Sequence, residues 1–119
     1  MLNKLEPHYI VGFVDGEGTF NLVRYPKSRT RPQFLVFNTV RGILESIKYT
    51  LDLKARIFEV ARVKDVIKSR KKMYRLQARS KEDIIKVINF FDKNPPRIKK
   101  TDYVIFRKCF KIWDSGEKI

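Results

Sequence analysis

Residues 9–18 read Tyr9-Ile10-Val11-Gly12-Phe13-Val14-Asp15-Gly16-Glu17-Gly18, an apolar run that predicts a helix at about residues 7–16. Gly12 and Gly16 are four residues apart and therefore share one face of that helix. Glycine inside a helix costs about 1 kcal/mol relative to alanine. Two interpretations account for this cost: a glycine-rich C-terminal cap, or a face that a second helix approaches closely.

Two acidic residues, Asp15 and Glu17, stand at the end of this helix, where the partial negative charge of the helix disfavours carboxylates. If a second copy of the helix packs on the glycine face, two more carboxylates arrive at the same point. A shared cation would relieve the repulsion, and Mg²⁺ prefers carboxylate and carbonyl oxygens. The alternative is that Asp15 hydrogen-bonds to local backbone and Glu17 is solvated. We expect the structural role for Asp15 and the metal-binding role for Glu17.

The composition predicts one domain over residues 1–119 with a nucleic-acid partner. The chain has 119 residues, 43% of them hydrophobic, and 27 Lys plus Arg against 13 Asp plus Glu, for a net charge of +14. Such an excess indicates a polyanionic partner, and a ribosomal or other RNA-binding protein is the simplest alternative. One cysteine, Cys109, and one histidine, His8, argue against a disulfide framework and against Cys- or His-based metal sites. The sequence predicts neither a signal peptide nor a membrane span.

The rest of the chain predicts alternating pairs of strands and helices. Strands at Thr19–Tyr25 and Gln33–Thr39, joined by a basic connection at 26–32, form a hairpin. A helix at about 41–51 precedes a second hairpin, with strands at 55–64 and 70–79 and a loop at 65–69. Ser80 is the predicted N-cap of a helix to about residue 92, with Asp83 at its third position. A break at Asn94-Pro95-Pro96 precedes a last helix at about 101–113, whose stripe of Tyr103, Phe106, Phe110 and Trp113 is expected in the core.

The order αββαββαα predicts an α+β fold in which a four-stranded antiparallel sheet has its helices on one face. The opposite face would carry Asn21, Tyr25, Arg62, Lys64, Arg75 and Gln77. Leu35 and Phe37 have the same alternation parity as that open face. They would be locally buried, would indicate a register shifted by one residue, or, if the open face contacts DNA, would meet thymine methyl groups, and all three interpretations stay open.

The run Ile10–Gly18 resembles the motif that names the LAGLIDADG homing endonucleases, and the aromatic Phe20 that follows is typical of the family. The resemblance continues through Tyr74-Arg75-Leu76 and through 90–100 to the final helix, so it spans nearly the whole chain. It implies a curved, saddle-shaped sheet whose open face follows the major groove of DNA. With one motif per chain, it also implies a C2 homodimer and a pseudo-palindromic target. The implied dimer interface is Tyr9, Gly12, Phe13 and Gly16.

The resemblance assigns catalytic and metal-binding roles to four residues. Glu17, with help from the Gly16 carbonyl, would bind Mg²⁺ or another divalent cation such as Mn²⁺ beside the scissile phosphates. Lys99, with Lys100 as the competitor, would stabilise charge at the cleavage site, and the alternative for this basic run is phosphate contact or solvation. Asn38 takes the place of a solvent-ordering glutamine, and its alternative is a residue of the turn that ends the strand.

The DNA-reading positions implied by the same resemblance are Asn21, Tyr25, Lys27, Arg29, Arg31, Arg62, Lys64, Arg70, Arg75 and Gln77. Each has the alternative of a solvated surface residue. The function predicted in this way is site-specific, metal-dependent cleavage of double-stranded DNA for intron homing. The competing function is non-cleaving nucleic-acid binding, as an intron RNA maturase or a DNA-binding regulator. The compartment would be that of the host intron.

Overall fold

The computed structural model describes residues 4–27, 29–60 and 72–116, and it confirms the predicted order of elements. These elements are α1 (Pro7–Glu17), β1 (Gly18–Tyr25), β2 (Arg29–Asn38), α2 (Arg41–Leu51), β3 (Ile57–Glu59), β4 (Tyr74–Ala78), α3 (Lys81–Lys93) and α4 (Lys100–Asp114). Within these ranges no helix has the length and hydropathy needed to cross a membrane.

The four strands form one antiparallel sheet in the order β1-β2-β4-β3. The β1–β2 register runs from Gly18 opposite Val36 to Tyr25 opposite Arg29. The predicted connection at 26–32 was therefore too long, because β2 begins at Arg29. Pro32 suggested a loop, but β4 pairs with β2 only from Phe34 onward. A proline is tolerated where a strand lies at the edge of the sheet.

The second hairpin is described only at its base. β3 pairs with β4 from Ile57 opposite Leu76 to Glu59 opposite Tyr74, and the Val60 N–H donates to the Met73 carbonyl at 2.8 Å. The predicted loop at 65–69, and the parts of the predicted strands between 61 and 71, lie outside the described residues.

The core lies between the sheet and the helices and is rich in phenylalanine. The Phe20 ring of β1 packs edge-on against Phe91, Tyr103 and Phe106, with centroids 5.1 to 5.2 Å apart. Leu22 has the same parity as Phe20 but is 40% exposed. Trp113 was expected in this core and is instead only half-buried, because it lies between two cations at the end of α4.

The start of α3 follows the predicted capping pattern in part. The Ser80 hydroxyl accepts the Asp83 N–H at 3.1 Å, as an N-cap does. The buried Asp83 carboxylate does not return to Ser80 but accepts the Lys54 N–H at 2.9 Å. This bond ties α3 to the segment between α2 and β3.

Candidate active site and DNA interface

Asp15 connects the end of α1 to the segment that precedes α4. Its carboxylate is 8% exposed and accepts two backbone hydrogen bonds, from Arg97 N–H at 3.0 Å and from Lys99 N–H at 3.2 Å. The predicted structural role is therefore correct, although the backbone it binds is more than 80 residues away in sequence rather than local. The carboxylate fixes the 97–99 segment against the motif helix.

Lys99 is held at the same point by its own side chain. Its ammonium group donates to the Asp15 carbonyl at 2.7 Å, so it covers one of the carbonyls that a helix leaves unpaired at its C-terminus. Lys100 begins α4 and is exposed. Of the two lysines, the structure brings Lys99 to the end of α1.

A polar cluster between α3 and α4 holds the connection that carries Lys99. The Arg107 guanidinium makes a bidentate contact with the Asp92 carboxylate, at 2.8 and 2.9 Å, and lowers the pKa of that carboxyl. Tyr103 donates its hydroxyl to Asp92 at 2.6 Å. Burial, and then the neighbouring carboxylate, raise the pKa of the Tyr103 hydroxyl, so it stays a donor.

Glu17, the last residue of α1, differs from Asp15 in exposure and in hydrogen bonding. Its side chain is exposed, and it has no hydrogen-bond or ion-pair partner among the described residues. Gly18 then leads directly into β1, and a Cβ there would lie 2.7 Å from Cγ1 of Val14. Glycine is required at 18 because α1 turns into β1 with no room for a side chain. This tight junction presents Glu17 at the edge of the sheet.

The two motif glycines lie on an open face of α1. A Cβ added at Gly12 or Gly16 would meet nothing within 4 Å, so no contact within the chain accounts for either glycine. Gly18, not these two, is the C-cap, which leaves the predicted cap interpretation wrong for Gly12 and Gly16. Tyr9 and Phe13 stack beside them, with ring centroids 6.2 Å apart and Tyr9 50% exposed.

A groove of about 740 Å³ opens beside this glycine face. It is lined by α1 and by the connection between α3 and α4, including Gly12, Pro96 and Arg97. The groove therefore borders one side of the open face of α1.

The open face of the sheet presents side chains in rows that cross the strands, because directly paired residues share a face. Nearest to Glu17 is a row of Phe37, Arg75 and Phe58, and next comes a row of Thr19, Leu35 and Gln77. Leu35 and Phe37 do lie on the open face and are half-buried there, so the idea of a shifted register is wrong. The predicted open-face placement of Asn21, Tyr25, Arg75 and Gln77 is confirmed.

Arg75 on that face packs against an aromatic ring. Its guanidinium carbon lies 5.2 Å from the centroid of the Phe58 ring, and its buried Nε has no hydrogen-bond partner among the described residues. Three other predicted DNA-binding residues, Arg62, Lys64 and Arg70, lie outside the described residues.

A basic cavity of about 480 Å³ lies at the far end of the first hairpin. Its charged lining is Lys27, Arg29, Arg31 and Arg79, four cations without a carboxylate. Arg31 stacks over the ring of Trp113, 4.7 Å from its centroid, and so contacts α4 rather than only solvent. Arg79 and Trp113 were not among the predicted DNA-binding residues, because pairing of β2 with β4 and the docking of α4 bring them here.

Comparison with known proteins decides the family. The family model described as LAGLIDADG endonuclease matches residues 10–110. The chain belongs to the LAGLIDADG endonuclease family. No curated protein sequence matches it.

Solved structures of LAGLIDADG proteins have the same fold. The chain is 24% identical to the homing endonuclease I-TnaI, with a TM-score of 0.76, covering 96% of this chain and 77% of that one. The archaeal intron-encoded homing endonuclease I-Vdi141I, complexed with DNA, is 26% identical, with a TM-score of 0.78 and coverages of 92% and 69%. I-GzeII, in complex with its DNA target, is 26% identical, with a TM-score of 0.75. The match covers 95% of this chain and 38% of I-GzeII.

Asn38 is the LAGLIDADG position whose assigned role fits least well. Its Oδ1 accepts the Val40 N–H at 2.8 Å and so closes the turn between β2 and α2. This bond is the strand-end role that the sequence offered as the alternative. The function of Asn38 in catalysis stays a prediction.

The oxygens at the end of the LAGLIDADG helix suit a hard divalent cation. Because Lys99 covers the Asp15 carbonyl, the next carbonyl, that of Gly16, is left beside the free Glu17 carboxylate. Carboxylate and carbonyl oxygens are the donors that Mg²⁺ takes, but it requires about six of them. Within the described ranges no three acidic, histidine or cysteine side chains of this chain converge on one point.

Proposed function

We propose that this chain is a site-specific endonuclease that cleaves double-stranded DNA as a C2 homodimer with a divalent cation. Glu17 carries the proposal. It is an exposed carboxylate without a partner, placed by a glycine-tight junction at the end of a helix whose other acid is fully engaged. A protein that only bound DNA would gain nothing from a free carboxylate beside a phosphate backbone.

The homodimer is supported by the bare face of α1. Gly12 and Gly16 lie where a second helix would touch the backbone directly, and Tyr9 and Phe13 add apolar surface beside them. The groove next to Gly12 gives the partner helix a place to enter. The chain lengths also support a homodimer, because this chain covers only 38% of I-GzeII, which is long enough to contain two such units.

Two copies would also complete the cation site. Each copy supplies the Glu17 carboxylate and the Gly16 carbonyl, and the two-fold axis brings these donors together with the oxygens of a DNA phosphate and water. Mg²⁺ or Mn²⁺ held there supplies an activated water and stabilises charge on the leaving oxygen. The chain's own part is to hold the oxygens in place and to exclude other ligands.

Lys99 supports catalysis by its position. Its ammonium group lies 2.7 Å from the Asp15 carbonyl, two residues before Glu17, and three hydrogen bonds fix the segment that carries it. A phosphate beside Glu17 would be within reach of this charge. We therefore assign Lys99, rather than Lys100, to stabilise the developing negative charge.

DNA binding is supported by the open face of the sheet. Its rows combine donors with apolar groups, which is the chemistry of base edges in the major groove. The net charge of +14 and the basic cavity at the hairpin tip favour phosphate contacts on either side. Arg75 places its guanidinium on the same face, beside the Phe58 ring.

The test compares Glu17→Gln with Glu6→Gln on the host gene's DNA with the intron removed, in the presence of Mg²⁺. Glu6 is the exposed N-cap residue at the other end of α1, so it matches the change in charge and shape. We expect Glu17→Gln to lose at least about 100-fold in cleavage rate, about 3 kcal/mol, while Glu6→Gln cleaves normally.

Binding by both variants is measured on the same DNA. Specific binding without cleavage by the wild type would contradict the nuclease and support a non-cleaving regulator. Retained cleavage in Glu17→Gln would remove Glu17 from the site.

A further inference from the structure

A third row on the open face of the sheet joins three polar side chains from three strands. Asn21 of β1 is paired with Gln33 of β2, and Arg79 follows directly after β4, beside Gln33. Gln33 Nε2 donates to Asn21 Oδ1 at 3.0 Å, and Arg79 Nε donates to Gln33 Oε1 at 2.5 Å. Gln33 is only 5% exposed, and both hydrogen bonds are partly buried.

The arginine fixes the direction of every bond in this row. Arginine has only donors, so the Gln33 atom that faces Arg79 has to be the carbonyl oxygen. The amide nitrogen of Gln33 then faces Asn21, and the Asn21 atom that meets it has to be its oxygen. The Asn21 Nδ2 and the terminal nitrogens of Arg79 are not used in these bonds, and they have no partner among the described residues. All of them are donors.

We infer that this row reads guanine in the target, and this inference rests on the proposed function. Guanine presents two acceptors, N7 and O6, at its major-groove edge, whereas cytosine presents a donor there. A free asparagine favours adenine because it uses its oxygen and its nitrogen together. The Asn21 oxygen already accepts from Gln33, so the two-atom pairing with adenine is disfavoured and acceptor-bearing guanine is favoured.

The position of the contact follows from the length of the strand. Asn21 lies four residues beyond Glu17, about 14 Å along β1 at about 3.4 Å per residue. That distance corresponds to about four base pairs of DNA. In a two-fold symmetric target, the guanines would stand at two related positions, each about four base pairs from the phosphate that Glu17 faces.

Selection from a randomised duplex library tests the inference with the full chain. The informative variant is Asn21→Asp, because aspartate keeps the acceptor for Gln33 and replaces only the outward amide by a second acceptor. We expect the wild type to select guanine about tenfold or more over other bases at the two positions, and Asn21→Asp to select cytosine there. Asn89→Asp, the same change on the exposed side of α3, should select the wild-type sequence.

Gln33→Glu tests Gln33 as the positioning residue. Glutamate accepts from Arg79 and from Asn21, so Asn21 has to turn its nitrogen inward and its oxygen toward the groove. Cytosine preference would then appear although the contacting residue is unchanged. If Gln33 only stabilised the sheet, this variant would bind every sequence more weakly with the same base preference.

The outcomes separate the inference from the proposed function. A wild type that selects no sequence, with only salt-sensitive binding to all duplexes, overturns the proposed function and this inference with it. A wild type that selects a site without guanine at these positions overturns the inference alone, as does a folded Asn21→Asp that keeps the wild-type preference. A shift to cytosine in both Asn21→Asp and Gln33→Glu supports it.

Discussion

At the scale of single residues, Asp15 and Glu17 stand two positions apart and have opposite fates. Asp15 is buried and accepts two backbone N–H groups, whereas Glu17 is exposed and has no partner in the described chain. A carboxylate with all its acceptors engaged stabilises the fold, and one with none engaged is available to a ligand. Hydrogen bonding therefore distinguishes the structural carboxylate of this motif from the one that is available to a ligand.

Asp15→Asn tests this division. The amide keeps one acceptor and turns an N–H toward a backbone N–H, so we expect the free energy of unfolding to fall by about 1–3 kcal/mol. Cleavage should fall as well, with Glu17 intact, because the segment carrying Lys99 is released. Urea unfolding and a cleavage assay measure the two effects. Asp102→Asn, at an exposed site in the first turn of α4, should cost less than about 1 kcal/mol.

An equal loss in both variants would mean that Asp15 contributes no more than a surface acid near a helix end. A destabilised Asp15→Asn that still cleaves at the wild-type rate would show that the Asp15 carboxylate is not needed to position Lys99.

At the scale of elements, α1 combines a buried side with a side that nothing in the chain covers. Ile10 and Val14 are fully buried against the core, whereas Gly12 and Gly16 face open space. A glycine in such a position destabilises the helix, and no contact within the monomer compensates for this cost. In the proposed homodimer, close approach by another helix would compensate for this cost.

Gly12→Ala should therefore stabilise the separated chain and weaken the dimer. The new methyl group meets nothing within 4 Å in the monomer, and alanine favours the helix by up to about 1 kcal/mol. Across a two-fold axis the same methyl groups would separate the helices. Sedimentation equilibrium gives the dissociation constant, and thermal unfolding of dilute protein gives the monomer's stability.

Gly42→Ala is the matched control, since Gly42 is helical, exposed and equally free of neighbours in α2. It should leave the dissociation constant unchanged. Equal dimer affinity in wild type and Gly12→Ala would rule out the glycine face as the interface.

Some features of these elements could be predicted from the sequence, and others could not. Periodicity gave the order of elements and the open face of the sheet, because alternation decides which side of a strand is buried. Periodicity placed the start of β2 too late, because a proline is typical of a loop. That β4 pairs with β2 only from Phe34 onward, which leaves Pro32 at a sheet edge, is visible only in the structure. Periodicity missed Arg79 and the direction of the Gln33 hydrogen bonds, which depend on strands far apart in sequence meeting in one row.

At the scale of the whole molecule, the cations are shared between two surfaces of different use. The first hairpin gathers Lys27, Arg29, Arg31 and Arg79 around one cavity, while others, such as Lys108 of α4, lie on the helix layer. Of these two groups, the first lies where DNA following the open face of the sheet would pass. We therefore expect the net charge to combine phosphate contacts with solvated surface.

Lys27→Gln and Lys108→Gln separate these two uses, because both lysines are exposed and the substitutions are identical. Each phosphate contact contributes about 0.9 to the slope of log K against log salt concentration. A homodimer has two copies of Lys27, so Lys27→Gln should reduce that slope by about 1.8, with binding weakened for every sequence alike. Lys108→Gln should leave the slope unchanged. Titrations over a range of salt concentrations measure it, and equal slopes for the two variants would show that the helix layer contacts DNA as much as the hairpin does.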